Sequence, residues 1–256
     1  MNAPLDGPDI PRTPTTDTGH VWPEGRMLAL DVETTGIDPE TARIVTAAVV
    51  AVGGDAPAET TAWLLNPGID IPAAATELHQ VSTEQARAEG RPPAEALPEI
   101  AAALTGPRST RMMPLVVFRA PYALTVLDRE CERHGVPFTG AVLAPVLDPY
   151  VLDKHLDRYR RGRRTMAELC RHYQVRHDGA NNAAHDAMAA ARLAWRLPRA
   201  FPGLAATALP DLHQQQIVWA AEQAASLQEH KRRTDPSAHI NGDWPLIPGR
   251  PAHEAP

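Results

Sequence analysis

The sequence predicts an α/β fold with a mixed sheet of about five strands flanked by helices, followed by a C-terminal helical extension. Two observations support this. The first third of the chain contains three strand-like segments joined by short connections, which is typical of an antiparallel meander. In the second half, short apolar strands alternate with helical patterns, as they do in α/β sheets.

The three N-terminal strands are predicted from their apolar and β-branched composition. The second and third are separated by the turn Gly53-Gly54-Asp55. The predicted strands cover residues 27–33, 43–52 and 59–65.

The helices and the remaining strands follow from capping patterns and apolar periodicity. Ser82-Thr83-Glu84-Gln85 forms a capping box, and Thr165 and Glu168 have the same spacing before another helix. Helices are predicted from Thr83 and near 94–104, 121–134, 149–157, 166–174 and 183–197, with further strands at 115–118 and 143–147.

The two ends of the chain differ from its centre. Residues 1–25 contain five prolines among small and polar residues, so a disordered tail is predicted there. Residues 26–198 form the predicted domain. Residues 199–256 form an extension with a helix near 211–231, whose apolar stripe is expected to pack on the domain or to form a dimer face, and an irregular end.

Composition limits the class of protein. The chain has 256 residues, a net charge of −6 and a pI near 6.0, so it has no overall basic character. Its two cysteines occupy apolar helical positions, and no run of 18 apolar residues occurs. A cytoplasmic protein without a membrane segment is therefore expected. The dense basic run Arg158–Arg164, five arginines around one glycine and Tyr159, is equally compatible with phosphate binding and with a solvated loop.

Two acidic residues at the end of the first strand predict a metal site. Asp31 and Glu33 are two residues apart, so their side chains leave the same face of a strand. Adjacent carboxylates repel each other unless a proton or cation lies between them. Hard divalent ions such as Mg²⁺ or Mn²⁺ are the usual occupants of such sites.

The segment Asp31-Val32-Glu33-Thr34-Thr35-Gly36 resembles the first motif of the DEDD superfamily of 3′–5′ exonucleases. The resemblance is to the DEDDh branch, which includes proofreading exonucleases and ribonuclease T. Asn66-Pro67-Gly68 and the segment 78–82 (Leu-His-Gln-Val-Ser) also resemble that branch. The resemblance implies a ribonuclease H-like fold, two metal ions and hydrolysis from a 3′ end, with Thr34, Thr35 and Gly36 contacting nucleic acid.

The second motif of the branch is altered here. In the corresponding register, Phe118-Arg119-Ala120-Pro121-Tyr122-Ala123, the resemblance implies an asparagine where Arg119 stands and an aspartate where Ala123 stands. If Arg119 points inward, it adds positive charge where the second metal ion of the family would lie, and it could instead contact nucleic acid.

The third motif, a histidine followed five residues later by an aspartate, allows two registers. With His185 as the histidine, the acidic position is Ala190; with Asp186 as the acid, the histidine position is Asn181. The second register is preferred, because the small residues after Asp186 resemble the helix face that follows the family's aspartate.

The surviving residues therefore predict one Mg²⁺ or Mn²⁺ ion held by Asp31, Glu33 and Asp186. Two functions follow as hypotheses. One is a binding protein for a nucleic acid 3′ end or a nucleotide, with a protein as a further candidate partner, in which hydrolysis is weak or lost. The other is an active exonuclease with an unusual base, for which His185 is a candidate.

Overall fold

A five-stranded mixed sheet forms the centre of the computed structural model, which describes residues 22–106, 113–138, 143 and 145–249. The strand order is β3-β2-β1-β4-β5. The first three strands are antiparallel, whereas β4 and β5 run parallel to β1. The strands are β1 (Met27–Thr34), β2 (Ile44–Val52), β3 (Glu59–Leu64), β4 (Leu115–Val116) and β5 (Val146–Leu147). The predicted sheet is thus confirmed, although β4 and β5 are shorter than expected.

Helices connect and cover the strands. They are α1 (Ala73–His79), α2 (Thr83–Glu89), α3 (Pro93–Thr105), α4 (Ala120–Arg133), α5 (Pro149–Leu156), α6 (Met166–His172), α7 (Ala183–Ala200), α8 (Pro202–Ala205) and α9 (Leu209–Arg232). Both predicted caps form: Ser82 accepts a hydrogen bond from the Gln85 amide, and Thr165 accepts one from the Glu168 amide. Neither α1 nor α8 was predicted from the sequence.

The central strand β1 is buried on both faces, which explains its nearly continuous apolar sequence. Leu28 and Leu30 pack into the core on the α3–α4 side, whereas Ala29 packs on the α7 side. Helix α7 presents mainly alanines to the sheet, including Ala187 and Ala190. These short side chains let the helix lie close to β1, which brings its first turn towards the end of that strand.

The C-terminal extension packs on the domain, which is one of the two arrangements expected from the sequence, the other being a dimer face. Gln216 of α9 accepts a hydrogen bond from the Asp148 amide at 2.8 Å and donates one to the Val146 carbonyl at 3.0 Å. Trp244 is buried beyond the end of α9 and directs its indole N–H towards Asp148. The extension is therefore part of the structure that surrounds β5.

The prediction of a disordered tail over residues 1–25 is wrong for its last four residues. Trp22–Glu24 forms a short 3₁₀ helix, in which Trp22 is buried and its indole donates to the Leu204 carbonyl. A tryptophan offers enough apolar surface to anchor a proline-rich segment. The remainder of that prediction, residues 1–21, and the end of the chain from residue 250 lie outside the described residues.

Both cysteines, Cys131 and Cys170, are buried and free, as expected. Among the described helices, none combines the length and the apolarity that crossing a membrane requires.

Candidate metal centre

Three carboxylates meet where the end of β1 approaches the first turn of α7. Asp31 and Glu33 leave the same face of β1, and Asp186 lies opposite on the helix. One ligand oxygen from each residue lies within 4.8 Å of the others. The convergence expected from the strand alternation and from the preferred register of the third motif is therefore present.

The electrostatics of this cluster are unfavourable without a cation. Burial raises the pKa of Asp31 well above its usual range, with added repulsion from Asp186 and Glu33. Burial and then Asp186 raise the pKa of Glu33 to about 7. Within the described part of the chain, none of the three forms an ion pair with a lysine or arginine. A donor set of three carboxylate oxygens at this separation fits a hard divalent ion.

Asp186 is oriented by two groups from the loop before α7. Its Oδ2 atom accepts a hydrogen bond from the Asn181 amide at 2.9 Å, and its Oδ1 atom lies 2.5 Å from Nε2 of His177. The helix cap is Asn182. Asp186 therefore does not serve as the cap of its own helix, and its carboxylate is directed towards the cluster.

His177 is the functional candidate that the sequence reasoning missed. It lies in the loop between α6 and α7 with only 11% of its side chain exposed. His185, which the sequence analysis considered as a base, is exposed on α7. Asn181, at the position of the family's histidine, is also exposed and has a left-handed backbone with φ of 60°. The signal available in the sequence was a histidine in the loop before the Asp186 helix.

Ala123 and Arg119 are the two altered residues of the second motif. Ala123 lies on α4, and Arg119 immediately precedes that helix. Ala123 is buried with 3% exposure and packs into the apolar core. Arg119 precedes the helix in a left-handed conformation, and its guanidinium carbon lies 4.9 Å from the ring centroid of Tyr150. The condition that Arg119 points towards the carboxylates is therefore not met. Its guanidinium lies against the ring of Tyr150, and it forms no ion pair with any of the three described carboxylates.

The segment Thr34–Gly36 is fixed by its neighbours. The Thr35 hydroxyl accepts a hydrogen bond from the Arg43 amide at 3.0 Å. The Tyr122 hydroxyl lies 2.5 Å from Oγ1 of Thr34 and donates to the Gly36 carbonyl. Among the described residues, and apart from the two chain neighbours of Gly36, no heavy atom lies within 4 Å of the place where a Cβ on Gly36 would be, so the backbone there is open to an approaching group.

The basic run divides into two groups. Arg160 and Arg164 form ion pairs with the fully buried Asp153 at 3.0 and 2.7 Å, so these two side chains are structural. Arg158, Arg161 and Arg163 are exposed, and Tyr159 is 88% exposed. Only the second group is placed to meet a ligand.

Comparison with solved structures finds exonuclease I. The Escherichia coli enzyme in complex with a dA16 oligonucleotide matches with a TM-score of 0.60 and 16% identity over 71% of this chain and 42% of that protein. Exonuclease I from Methylocaldum szegediense matches with a TM-score of 0.57 and 14% identity over 70% and 42%. A complex named ExoI/SSB-Ct matches with a TM-score of 0.60 and 15% identity over 72% and 43%.

The aligned region thus spans less than half of each exonuclease I chain. At these identities the likeness establishes the fold, which is the ribonuclease H-like exonuclease fold expected from the first motif. Among curated protein sequences, no match to this chain was found.

A family model for RNase T, described as exonuclease, matches residues 28–194. This region contains the whole sheet except the first residue of β1, together with α1 to α6 and most of α7. It also contains all three carboxylates of the cluster. The chain therefore belongs to the RNase T exonuclease family of the DEDD superfamily.

Proposed function

We propose that this protein is a 3′–5′ exonuclease-family protein with a reduced, one-metal site that binds a nucleic acid 3′ end or a nucleotide, with hydrolysis weak or lost. One observation carries the proposal. Asp31, Glu33 and Asp186 converge, whereas buried Ala123 and exposed Asn181 supply neither the fourth carboxylate nor the histidine that the family motifs imply.

The three carboxylates would hold one Mg²⁺ or Mn²⁺ ion. When bound, such an ion would polarise a phosphoryl oxygen and offset the burial and the mutual repulsion that raise the pKa values of Asp31 and Glu33. The open backbone at Gly36, beside the fixed Thr34 and Thr35 side chains, is the proposed contact for the terminal nucleotide.

Weak hydrolysis follows from the missing groups. Loss of a general base alone costs about 10²–10⁴ in rate, and loss of a metal ligand as well lowers the rate further. The test is a double substitution, Ala123→Asp with Asn181→His, assayed for Mg²⁺-dependent shortening of a 3′-labelled single strand. We expect cleavage to rise by roughly 10² or more, because the base alone accounts for that much.

The matched control is Ala123→Asn with Asn181→His, which places a side chain of the same shape without the carboxylate. It keeps the restored base but not the fourth carboxylate, so it should gain less than the variant with Ala123→Asp, since an amide is a poor ligand for a second divalent ion. Brisk cleavage by the unmodified protein, abolished in Asp186→Ala, would contradict the reduced-site proposal.

A second candidate function is an active exonuclease with an unusual base. It is favoured by the position of His177, whose ring nitrogen lies 2.5 Å from Asp186 although the residue is nine positions earlier in the chain. A histidine beside the cluster could replace the one absent at Asn181.

Two histidine variants distinguish the candidates. If His177 is the base, His177→Ala loses about 10²-fold or more in rate, whereas exposed His185→Ala retains the activity of the unmodified protein. If the reduced-site proposal holds, both variants show the same low activity as the unmodified protein.

A further inference from the structure

A groove lies between the exonuclease domain and the C-terminal extension, and one of its lining residues, Tyr122, contacts the segment that follows Glu33. Its volume is about 230 Å³. Its walls include Arg119, Tyr122, Tyr150 and Lys154 from the domain and Ala224 and Gly242 from the extension. We call this cavity the extension groove.

Two cations in the extension groove flank one aromatic ring. The Arg119 guanidinium lies 4.9 Å and the Lys154 ammonium 5.6 Å from the centroid of Tyr150. Over residues 22–106, 113–138, 143 and 145–249, neither cation forms an ion pair with a carboxylate. Burial and the charges of Arg164 and Arg119 lower the pKa of Lys154. The pair is therefore held together without a counter-anion, which is unfavourable unless an anion binds.

The acidic residues of the groove do not neutralise this pair. Asp148 is fully buried, and its carboxylate accepts hydrogen bonds from the backbone amides of Arg119 and Ala120 and from that of Tyr150. Its oxygens are thus committed to the starts of α4 and α5. Asp243 is exposed at the rim and makes no ion pair with Arg119 or Lys154.

Tyr122 connects the extension groove to the metal centre. Its side chain lines the groove, and its hydroxyl contacts Thr34 and the Gly36 carbonyl. Burial raises the pKa of Tyr122, and the negative charges of Glu33, Asp38 and Asp31 add to this effect. A chain whose end lies at Thr34–Gly36 can therefore reach the groove by passing this one residue.

We propose that the extension groove binds a backbone phosphate of single-stranded nucleic acid whose 3′ end lies at the metal centre. The inference rests on the proposed function. The guanidinium of Arg119, whose carbon lies 4.9 Å from the Tyr150 ring centroid, has no carboxylate partner among the described residues, so its N–H donors are available to a phosphate, and Lys154 adds a second cationic donor. The small and apolar wall from α9 and the following segment accommodates the sugar. The extension thus forms half of a substrate subsite.

The experiment measures binding of fluorescein-labelled dT10 by anisotropy, with Ca²⁺ in place of Mg²⁺, as a function of NaCl concentration. Arg119→Ala with Lys154→Ala should weaken binding by about tenfold or more, because the variant has no charge-assisted donors for the phosphate. The slope of log K against log salt should become shallower by about 0.7 for each phosphate that is no longer neutralised. Arg87→Ala is the control, since it removes a cation that is 59% exposed, is paired with Asp70 and does not line the groove.

Two further measurements test the position of the bound phosphate. Asp243→Asn, which removes the rim carboxylate, should tighten binding. A single neutral methylphosphonate linkage, moved stepwise from the 3′ end of dT10, should weaken binding by the unmodified protein at one position and have no effect there in the double variant.

The outcomes separate this inference from the proposed function. If the unmodified protein binds no dT10, the inference fails, and of the proposed function only the binding of a nucleotide or of RNA remains. If the protein binds dT10 but the double variant has the same affinity and salt slope, the inference alone is overturned. An affinity of Arg87→Ala reduced as much as that of the double variant would also overturn it, because the effect would then be one of net charge.

Discussion

Two acidic sites of this protein, both withdrawn from solvent, differ in how their charge is balanced. Asp153 on α5 is fully buried, and its carboxylate meets Arg160 at 3.0 Å, Arg164 at 2.7 Å and the Tyr173 hydroxyl at 2.7 Å. At the metal centre, Asp31, Glu33 and Asp186 face one another without a lysine or arginine partner in the described chain. The first site contains its own cations, and the second does not.

This difference indicates what each site does. A buried carboxylate whose partners come from the same chain is part of the folded structure, and it fixes the loop that carries the arginines. A cluster of carboxylates without a lysine or arginine partner has unfavourable electrostatics until a cation or protons bind. The contrast favours ligand binding at the candidate metal centre and a structural role for Asp153, although acidic residues are present at both places.

The largest effect should follow from breaking the balanced site. Asp153→Ala leaves two largely buried arginines and a buried tyrosine hydroxyl without their acceptor, so the free energy of unfolding should fall by about 3–5 kcal/mol. Urea denaturation at pH 7.5 with EDTA measures this change. Asp31→Asn is the comparison variant and should retain or raise the stability of the metal-free protein. Equal losses in both variants would contradict the distinction.

A smaller effect should follow from supplying the missing cation. Mn²⁺ at about 100 times its Kd should stabilise the unmodified protein by about 2.7 kcal/mol, because it binds the folded state. Asp31→Asn should lose most of this gain, whereas exposed Asp38→Asn should keep it. Thermal denaturation measures the gain and calorimetry the stoichiometry. Two tight Mn²⁺ equivalents per chain would contradict a one-metal site.

A third expected effect is a pH dependence of the metal-free protein. The folded-state pKa of Glu33 is raised from 4.5 to about 7, so folding takes up protons in this range. The stabilisation is complete below about pH 4.5 and is lost as the pH rises towards 7. Glu33→Gln removes this contribution. The unfolding free energy of the unmodified protein minus that of Glu33→Gln should therefore decrease between pH 4.5 and 7, and a flat difference would contradict the raised pKa.

The sequence predicted those parts of the site that depend on regular secondary structure. The alternation of a strand places Asp31 and Glu33 together, and the small residues after Asp186 identify a helix that lies close to the sheet. The parts that it did not predict depend on irregular backbone. Arg119 has a φ of 56° that turns its side chain onto Tyr150, and His177 reaches Asp186 from a loop. Neither position follows from a residue period.

The contact between Gln216 and β5 has a consequence for the solution behaviour of the protein. β5 is an edge strand, and edge strands with unpaired backbone groups can recruit a strand from another molecule. Gln216 accepts a hydrogen bond from the Asp148 amide and donates one to the Val146 carbonyl. His213 accepts a hydrogen bond from the Val146 amide at 3.1 Å. The extension therefore protects this edge, and a chain ended at residue 198 should aggregate through the uncovered β5 although it retains all three carboxylates.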